Sequence, residues 1–254
     1  MPKAVPSALE AFFAEHPRLA LAFSGGVDSA YLLYAATACG CDIMAYYAQS
    51  AFQPAFERAD AVKLAGQLGA RVRFIPLDIL SDAAVRTNPS DRCYHCKRRI
   101  FSALIGAAGA DGYDLVIDGS NASDDAGDRP GMQALKELRV LSPLRLCGIT
   151  KAQVRAYSRE AGLFTWDKPA YACLATRVPA GTTLTAELLK RIEGAENRLF
   201  SLGFTDFRCR VFGGAARLQF HRDQYDRAAA MRTQLRDALK PYFDIILLDT
   251  EVRG

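Results

Sequence analysis

Apolar and polar positions alternate in blocks along the first two-thirds of the chain. An apolar run at 19–23 (Leu-Ala-Leu-Ala-Phe) leads into Ser24-Gly25-Gly26-Val27-Asp28-Ser29, and a helix-like stretch follows from Asp28 onward. The same alternation predicts strands at 43–48, 72–75 and 115–118. It predicts helices at 54–69, where Phe56, Val62, Leu64, Ala65 and Leu68 are apolar, at 96–109, and at 150–161 behind Thr150 as N-cap. Residues 119–131 read as a polar loop. This βαβα order predicts an α/β fold with a doubly wound parallel sheet, whose ligands bind outside the carboxyl ends of the strands. Ser24–Ser29 and Asp118–Ser120 both fall at such ends.

From about residue 180 the texture changes. A long helix over 184–202 precedes strands at 207–212 and 216–220 joined by Gly213-Gly214, a hairpin signal. A helix near 222–239 and an apolar strand at 243–248 complete the pattern. The reading is a smaller C-terminal α+β domain, 171–254, after a first domain of 1–170, with the boundary region at 165–182. On the strand 207–212, Arg208 and Arg210 share one face while Phe207, Cys209 and Val211 share the other. Two arginines projecting together can bind a phosphate, and on geometry alone a solvated strand face is an equal reading.

Composition narrows the picture only in places. Half of the 254 residues are hydrophobic, enough for a sizeable core. A net charge of +4 suits a handler of phosphorylated anions and falls short of a basic arm for nucleic acid, which is not expected as a partner. The N-terminal residues carry no charged-then-apolar export pattern and no run approaches 18 apolar residues, so a membrane is not expected and a cytoplasmic location is. Seven cysteines, an odd number, argue against a disulfide scaffold.

The cysteines divide by context. Cys39 and Cys41 flank Gly40 at a helix end, Cys147 sits in a connector of apolar and polar residues, and Cys209 lies on the core face of its strand; all four read as packing residues. Cys93 and Cys96, in Arg92-Cys93-Tyr94-His95-Cys96-Lys97, are a C-x-x-C at a helix start among cations. That pair alone is half a zinc site, a redox pair or chance, and a structural zinc would have to recruit Cys173 and His95. Cys173 lies in an irregular segment, Lys168–Arg177, with cations on both sides.

The loop at 24–29 is neither G-x-x-x-x-G-K-[ST] nor G-x-G-x-x-G, since no lysine follows its glycines. Its glycines let the backbone approach a ligand, and the free N–H groups of the following helix attract an anion. An ordinary strand-to-helix turn is the alternative, which a match over the whole six-residue pattern outweighs. The pattern S-G-G-x-D-S resembles the pyrophosphate loop of the N-type ATP pyrophosphatases, the adenine nucleotide alpha-hydrolase or PP-loop type, which split ATP between the α and β phosphates. The later segments are more specific. Asn88–Lys97, Asp118–Asn121 with Asp124, Arg129–Leu135, Ser142–Leu144, Thr150-Lys151 with Val154-Arg155, and Lys168–Arg177 together resemble the LarE family from about residue 18 to the C-terminus. LarE proteins are ATP-dependent sulfur transferases of nickel-pincer nucleotide biosynthesis.

The resemblance implies a mechanism and a set of roles. A carboxylate of pyridinium-3,5-biscarboxylic acid mononucleotide, a small-molecule nucleotide substrate, is adenylated with Mg2+ and ATP and then becomes a thiocarboxylate. Ser24, Gly25, Gly26, Asp28 and Ser29 hold the phosphates or the metal. Asp118, Ser120, Asn121 and Asp124 lie near the nucleotide, and Arg208 and Arg210 match the family's substrate-phosphate arginines. Glu196 takes the place of an acidic family residue in the long C-terminal helix. One branch sacrifices a single cysteine, matched by Cys173. Cys93, Cys96 and Cys173 together match the three-cysteine branch, whose thiolates hold a 4Fe-4S cluster with one iron open to hydrosulfide. The cluster ranks first, sacrifice of Cys173 second and a persulfide on Cys173 third. The resemblance also implies a homo-oligomer, such as a hexamer built partly through the small domain. A tRNA-thiolating PP-loop enzyme and a non-catalytic nucleotide- or metal-carrying partner are the competing functions.

Overall fold

The computed structural model describes residues 5–124 and 129–253, the side chain of Arg129 apart. They divide into two compact units: the chain up to Ile79 together with Asp91–Ala170, and Leu80–Ser90 together with the chain from Tyr171.

The first unit contains α1 (Ser7–Glu15), β1 (Arg18–Ala22), α2 (Val27–Ala38), β2 (Asp42–Gln49), α3 (Ala55–Leu68) and β3 (Val72–Pro76). After the short α4 (Ala83–Arg86), which belongs to the second unit, it resumes with α5 (Arg92–Ala110), β4 (Val116–Ile117), α6 (Arg129–Glu137), α7 (Pro143–Leu146) and α8 (Lys151–Glu160). The sheet order is β3-β2-β1-β4, and every pairing is parallel. Consecutive residues of β1 bury opposite faces of the sheet. Leu19 and Leu21 join a core with Leu32, Leu33 and Val154 of α2 and α8, while Ala20 joins one with Phe101 and Leu104 of α5. A strand buried on both sides cannot alternate apolar with polar, and it appears in the sequence as an unbroken apolar run. The strand order reverses between β1 and β4, so the crevice at their carboxyl ends is the switch point where such sheets bind ligands.

The expected fold class is therefore the observed one, with differences of detail. The helix expected at 96–109 begins four residues earlier, at Arg92, which places both Cys93 and Cys96 in its opening turns. Within the expected loop 119–131, α6 already starts at Arg129, while residues 125–128 lie outside the described ones. α1 was not expected; Leu9 and Phe13, one helical turn apart, anchor it in the core.

The second unit contains α9 (Ala186–Ser201), β5 (Phe207–Phe212), β6 (Ala215–Phe220), α10 (Arg222–Ala230), α11 (Arg232–Leu239) and β7 (Ile246–Leu248). β5 and β6 form the antiparallel hairpin that Gly213-Gly214 signals, and β7 pairs in parallel with β6. The single helix expected over 222–239 is two helices broken at Met231, and the last strand is shorter than 243–248. Residues 80–90 are stitched into this unit by backbone bonds from Gly181 N to Asn88 O (2.7 Å) and from Leu184 N to Arg86 O (2.8 Å). Asn88 adopts φ 54°, a left-handed conformation that asparagine tolerates, and its buried Nδ2 donates to Pro179 O at 2.8 Å. Among the described residues no helix is long and apolar enough to cross a membrane.

Candidate active site

The loop after β1 is shaped by its own two serines. Ser29 Oγ donates to Gly26 O (3.2 Å) and accepts from Ser24 N (3.3 Å). With its proton committed, Ser29 must accept from Ser24 Oγ (3.1 Å), which leaves Ser24 Oγ to accept from Gly26 N (3.3 Å). Gly25 holds φ +74°, a conformation that favours glycine, and a Cβ there would stand in a tight contact 3.1 Å from Glu57 O of α3. The N-cap of α2 is Gly26, which has no side chain to cap the first N–H groups. These donors and the helix dipole remain directed at whatever occupies the crevice.

From the end of β4 comes the second half of the site. A Cβ on Gly119 would meet Ser29 N at 3.1 Å and Asp28 Cβ at 3.2 Å, so a glycine here lets the two strand ends close on each other. Both oxygens of buried Asp118 are engaged, Oδ1 by Ser142 Oγ (2.6 Å) and Oδ2 by Ser120 Oγ (2.5 Å). Asp118 and Ser120 therefore shape the loop. Buried Asn121 bridges two carboxylates: its Nδ2 donates to Asp28 Oδ1 (3.3 Å) and Asp124 Oδ1 (3.1 Å), and its backbone N–H donates to Asp124 Oδ2 (2.8 Å).

Lys151 was missed as a site residue. Its Nζ donates to Asp28 Oδ2 at 2.5 Å from the first position of α8, a helix opened by a full capping box between Thr150 and Gln153. The lysine that the loop lacks in sequence is delivered from 123 residues away. Burial pushes the Asp28 carboxyl up, Lys151 pulls it back, and Asp124 adds to the rise. A helix N-terminus, one lysine and two carboxylates in one crevice are groups that can complement a metal-complexed polyphosphate, the donors toward phosphate oxygens and the carboxylates toward a cation.

The second unit holds Arg208, Arg210 and Glu196 of the expected residues around a buried ion pair. Arg177 and Glu196, each 1% exposed, form a two-pronged pair at 2.9 and 3.1 Å. Glu196 also accepts from the Tyr171 hydroxyl and from Cys209 N (2.9 Å). Arg208 is buried on β5, 3.7 Å from Asp206, which also pairs with Arg253 at 3.0 Å. Arg210 is exposed and donates to Gln219 Oε1 (2.6 Å) and Thr176 O (2.9 Å). The two arginines thus differ, and a uniformly solvated face does not describe them. Burial, then repulsion from Arg177 and Arg253, pulls the Arg208 guanidinium down to about 10, and the same causes lower Arg210. Crowded cations of this kind are stabilised by an arriving anion.

The cysteines separate by unit. Cys93, exposed, and Cys96, half-buried, lie three residues apart on α5, with Arg92 Nη2 donating to Cys93 Sγ at 3.7 Å. Cys173, half-buried, belongs to the second unit. Among the described residues no group of three or more His, Cys, Asp or Glu stands together as a metal-holding cluster. Cys209 is fully buried, and Cys39, Cys41 and Cys147 pack against the core of the first unit.

No family model matches the chain. The pyridinium-3,5-bisthiocarboxylic acid mononucleotide synthase of Lactiplantibacillus plantarum is 37% identical to it over 204 residues, which cover 80% of this chain and 74% of that protein. The chain belongs to the LarE family. An uncharacterized protein of Synechocystis is also 37% identical, over 217 residues covering 85% of this chain and 81% of that one. A more distant uncharacterized relative, from Methanocaldococcus jannaschii, is 26% identical over 185 residues, 73% of this chain and 70% of its own. Membership of the LarE family agrees with the all-parallel sheet of the first unit.

Proposed function

We propose that the protein is an ATP-dependent sulfur transferase that converts a carboxylate of pyridinium-3,5-biscarboxylic acid mononucleotide to a thiocarboxylate. The observation that carries this reading is the crevice between β1 and β4, where Asn121 and Lys151 bond to Asp28 of the Ser24–Ser29 loop and Asn121 links it to Asp124, in a chain related to a synthase of the corresponding bisthiocarboxylate.

A carboxylate resists nucleophilic attack until one oxygen becomes part of a good leaving group. In the first step the substrate carboxylate oxygen attacks the α-phosphorus of ATP, the bond to the bridging β-oxygen breaks, and pyrophosphate leaves. The N–H groups at the start of α2 and Lys151 receive the charge that builds on pyrophosphate. Asp28 and Asp124 are hard oxygen donors of the kind Mg2+ takes, and they would hold a metal that neutralises polyphosphate charge. In the second step a sulfur nucleophile attacks the acyl carbon, and AMP departs with the C–O electron pair.

Arg208 and Arg210 are the residues to hold the substrate's own phosphate. Thiolates are the donors that iron–sulfur clusters prefer, and Cys93, Cys96 and Cys173 would supply three of them. A bound 4Fe-4S cluster would supply reactive sulfide for repeated turnover. Loss of sulfur from Cys173 itself is the second route, and a persulfide on Cys173 the third. A homo-oligomer and a cytoplasmic location complete the proposal.

The test is anaerobic purification with iron and sulfide analysis of the wild type and of Cys93→Ala, Cys96→Ala and Cys173→Ala. Loss of cluster in all three variants supports a shared ligand set, and a full cluster in any of them rules it out. A mass decrease of one sulfur at Cys173 after one turnover would favour the sacrificial route.

A further inference from the structure

The second unit holds a polar side chain to which the reaction above gives no role. Arg177 is the largest fully buried side chain among the described residues. Against well-packed apolar residues, a buried Arg–Glu pair is generally no gain in stability, so stability is a weak reason for its presence. A guanidinium does provide a rigid fork of donors that can hold several acceptors in fixed positions.

The groups it holds surround Cys173. Arg177 Nη1 donates to Ala172 O at 2.7 Å and to Thr176 Oγ1 at 2.9 Å, and it lies 3.4 Å from Cys173 O. Thr176 in turn donates to Cys173 O through Oγ1 (2.8 Å) and its backbone N–H (3.0 Å), closing the 3-10 turn Leu174–Arg177. The peptide units on both sides of Cys173 are therefore tied to one guanidinium, which Glu196 fixes in orientation from its other edge.

The same hub reaches the arginine strand. Glu196 accepts from Cys209 N of β5. The Tyr171 ring has the guanidinium carbons of both Arg177 and Arg208 over it, at 4.4 and 5.6 Å from its centroid. Arg210 donates to Thr176 O at 2.9 Å, inside the turn that follows Cys173. Cys173 and the two arginines are thereby registered against each other through bonds within one unit.

We propose that Arg177, oriented by Glu196, is a positioning residue that clamps the backbone of Cys173 and registers its sulfur with Arg208 and Arg210. The functional meaning of the clamp rests on the sulfur-transfer reading; the clamp itself is tested without turnover. In metal-free, full-length protein, iodoacetamide alkylation is followed for each cysteine by peptide mass spectrometry. Cys93 serves as the exposed reference and Cys209 as the buried one. Arg177→Lys keeps the charge and removes the fork. Cys173 is expected to react about tenfold faster in that variant, with Cys93 within about twofold and Cys209 still protected, because freeing a tethered turn raises its accessible conformations. In turnover, thiocarboxylate formation should fall about 100-fold while pyrophosphate release persists, as misplacement by about 1 Å is enough for such a loss.

A Cys173 rate within about twofold of wild type, with Cys209 protected, overturns the proposal, since local opening was its basis. Should Arg177→Lys expose Cys209 by unfolding, Glu196→Gln decides: faster Cys173 alkylation supports the clamp and an unchanged rate overturns it. If the wild type forms no thiocarboxylate from a pyridinium dicarboxylate nucleotide, the sulfur-transfer reading falls, and the alkylation rates still decide the clamp.

Discussion

In the first unit the carboxylates of the crevice are bridged by an amide and paired with a lysine, beside a helix start with no side-chain cap. In the second, Arg177 and Glu196 are fully buried and bond to each other, while Arg177 also holds Ala172 O and Thr176 and Glu196 also holds Tyr171 and Cys209 N. The first arrangement leaves donors and acceptors for a ligand; the second uses charge to fix a protein conformation. Under the proposed function, the first unit would bind and activate a polyphosphate, and the second would place Cys173 beside the arginines proposed to hold the substrate phosphate.

The sharpest way to break this contrast is to remove Glu196. Glu196→Ala leaves Arg177 as a buried, unpaired cation, and the second unit should lose about 3–5 kcal/mol of stability in urea unfolding. A loss below about 1 kcal/mol, the scale of an exposed pair, would show that the hub is not the buried ion pair described here. Next in size is Arg208→Ala. Loss of a charge-assisted hydrogen bond of about 1.5–3 kcal/mol should weaken binding of the phosphate-bearing substrate by about 10- to 100-fold in calorimetry, leaving ATP binding unchanged.

Changes in the first unit test the loop's shape. Gly25→Ala forces a left-handed conformation on alanine beside Glu57 O, and should cost about 1–2 kcal/mol in thermal unfolding while raising the KM for ATP. Thr150→Ala removes the capping-box hydroxyl of the helix that carries Lys151. Its expected cost is smallest, about 1 kcal/mol, with a similar rise in the KM for ATP if Lys151 shifts with its helix.

The same contrast explains what the sequence made legible. β1, the loop and α2 are contiguous, and the unbroken apolar run, the paired glycines and the acidic first turn are local signals that the fold follows. Gly213-Gly214 announced the β5–β6 hairpin for the same reason. Asp28 and Lys151 meet across 123 residues, and nothing near either one in sequence marks the partner. The pairing of Arg177 with Glu196 and the return of residues 80–90 to the second unit are likewise set by tertiary packing. α1 did carry a signal, Leu9 and Phe13 at helical spacing, in a segment read only for the absence of an export pattern. The break at Met231 has none in the apolar pattern, which runs on from Ala228 to Leu235 and Leu239.

The central claim is that activation and sulfur delivery are carried by different residues. Pyrophosphate and thiocarboxylate formation, followed in parallel in single turnovers of Asp28→Asn and Cys173→Ala with ATP and the dicarboxylate nucleotide, test it most directly. The account predicts that Asp28→Asn forms neither product, and that Cys173→Ala releases pyrophosphate without forming thiocarboxylate. Thiocarboxylate formation by Cys173→Ala, or pyrophosphate release by Asp28→Asn at the wild-type rate, would contradict it.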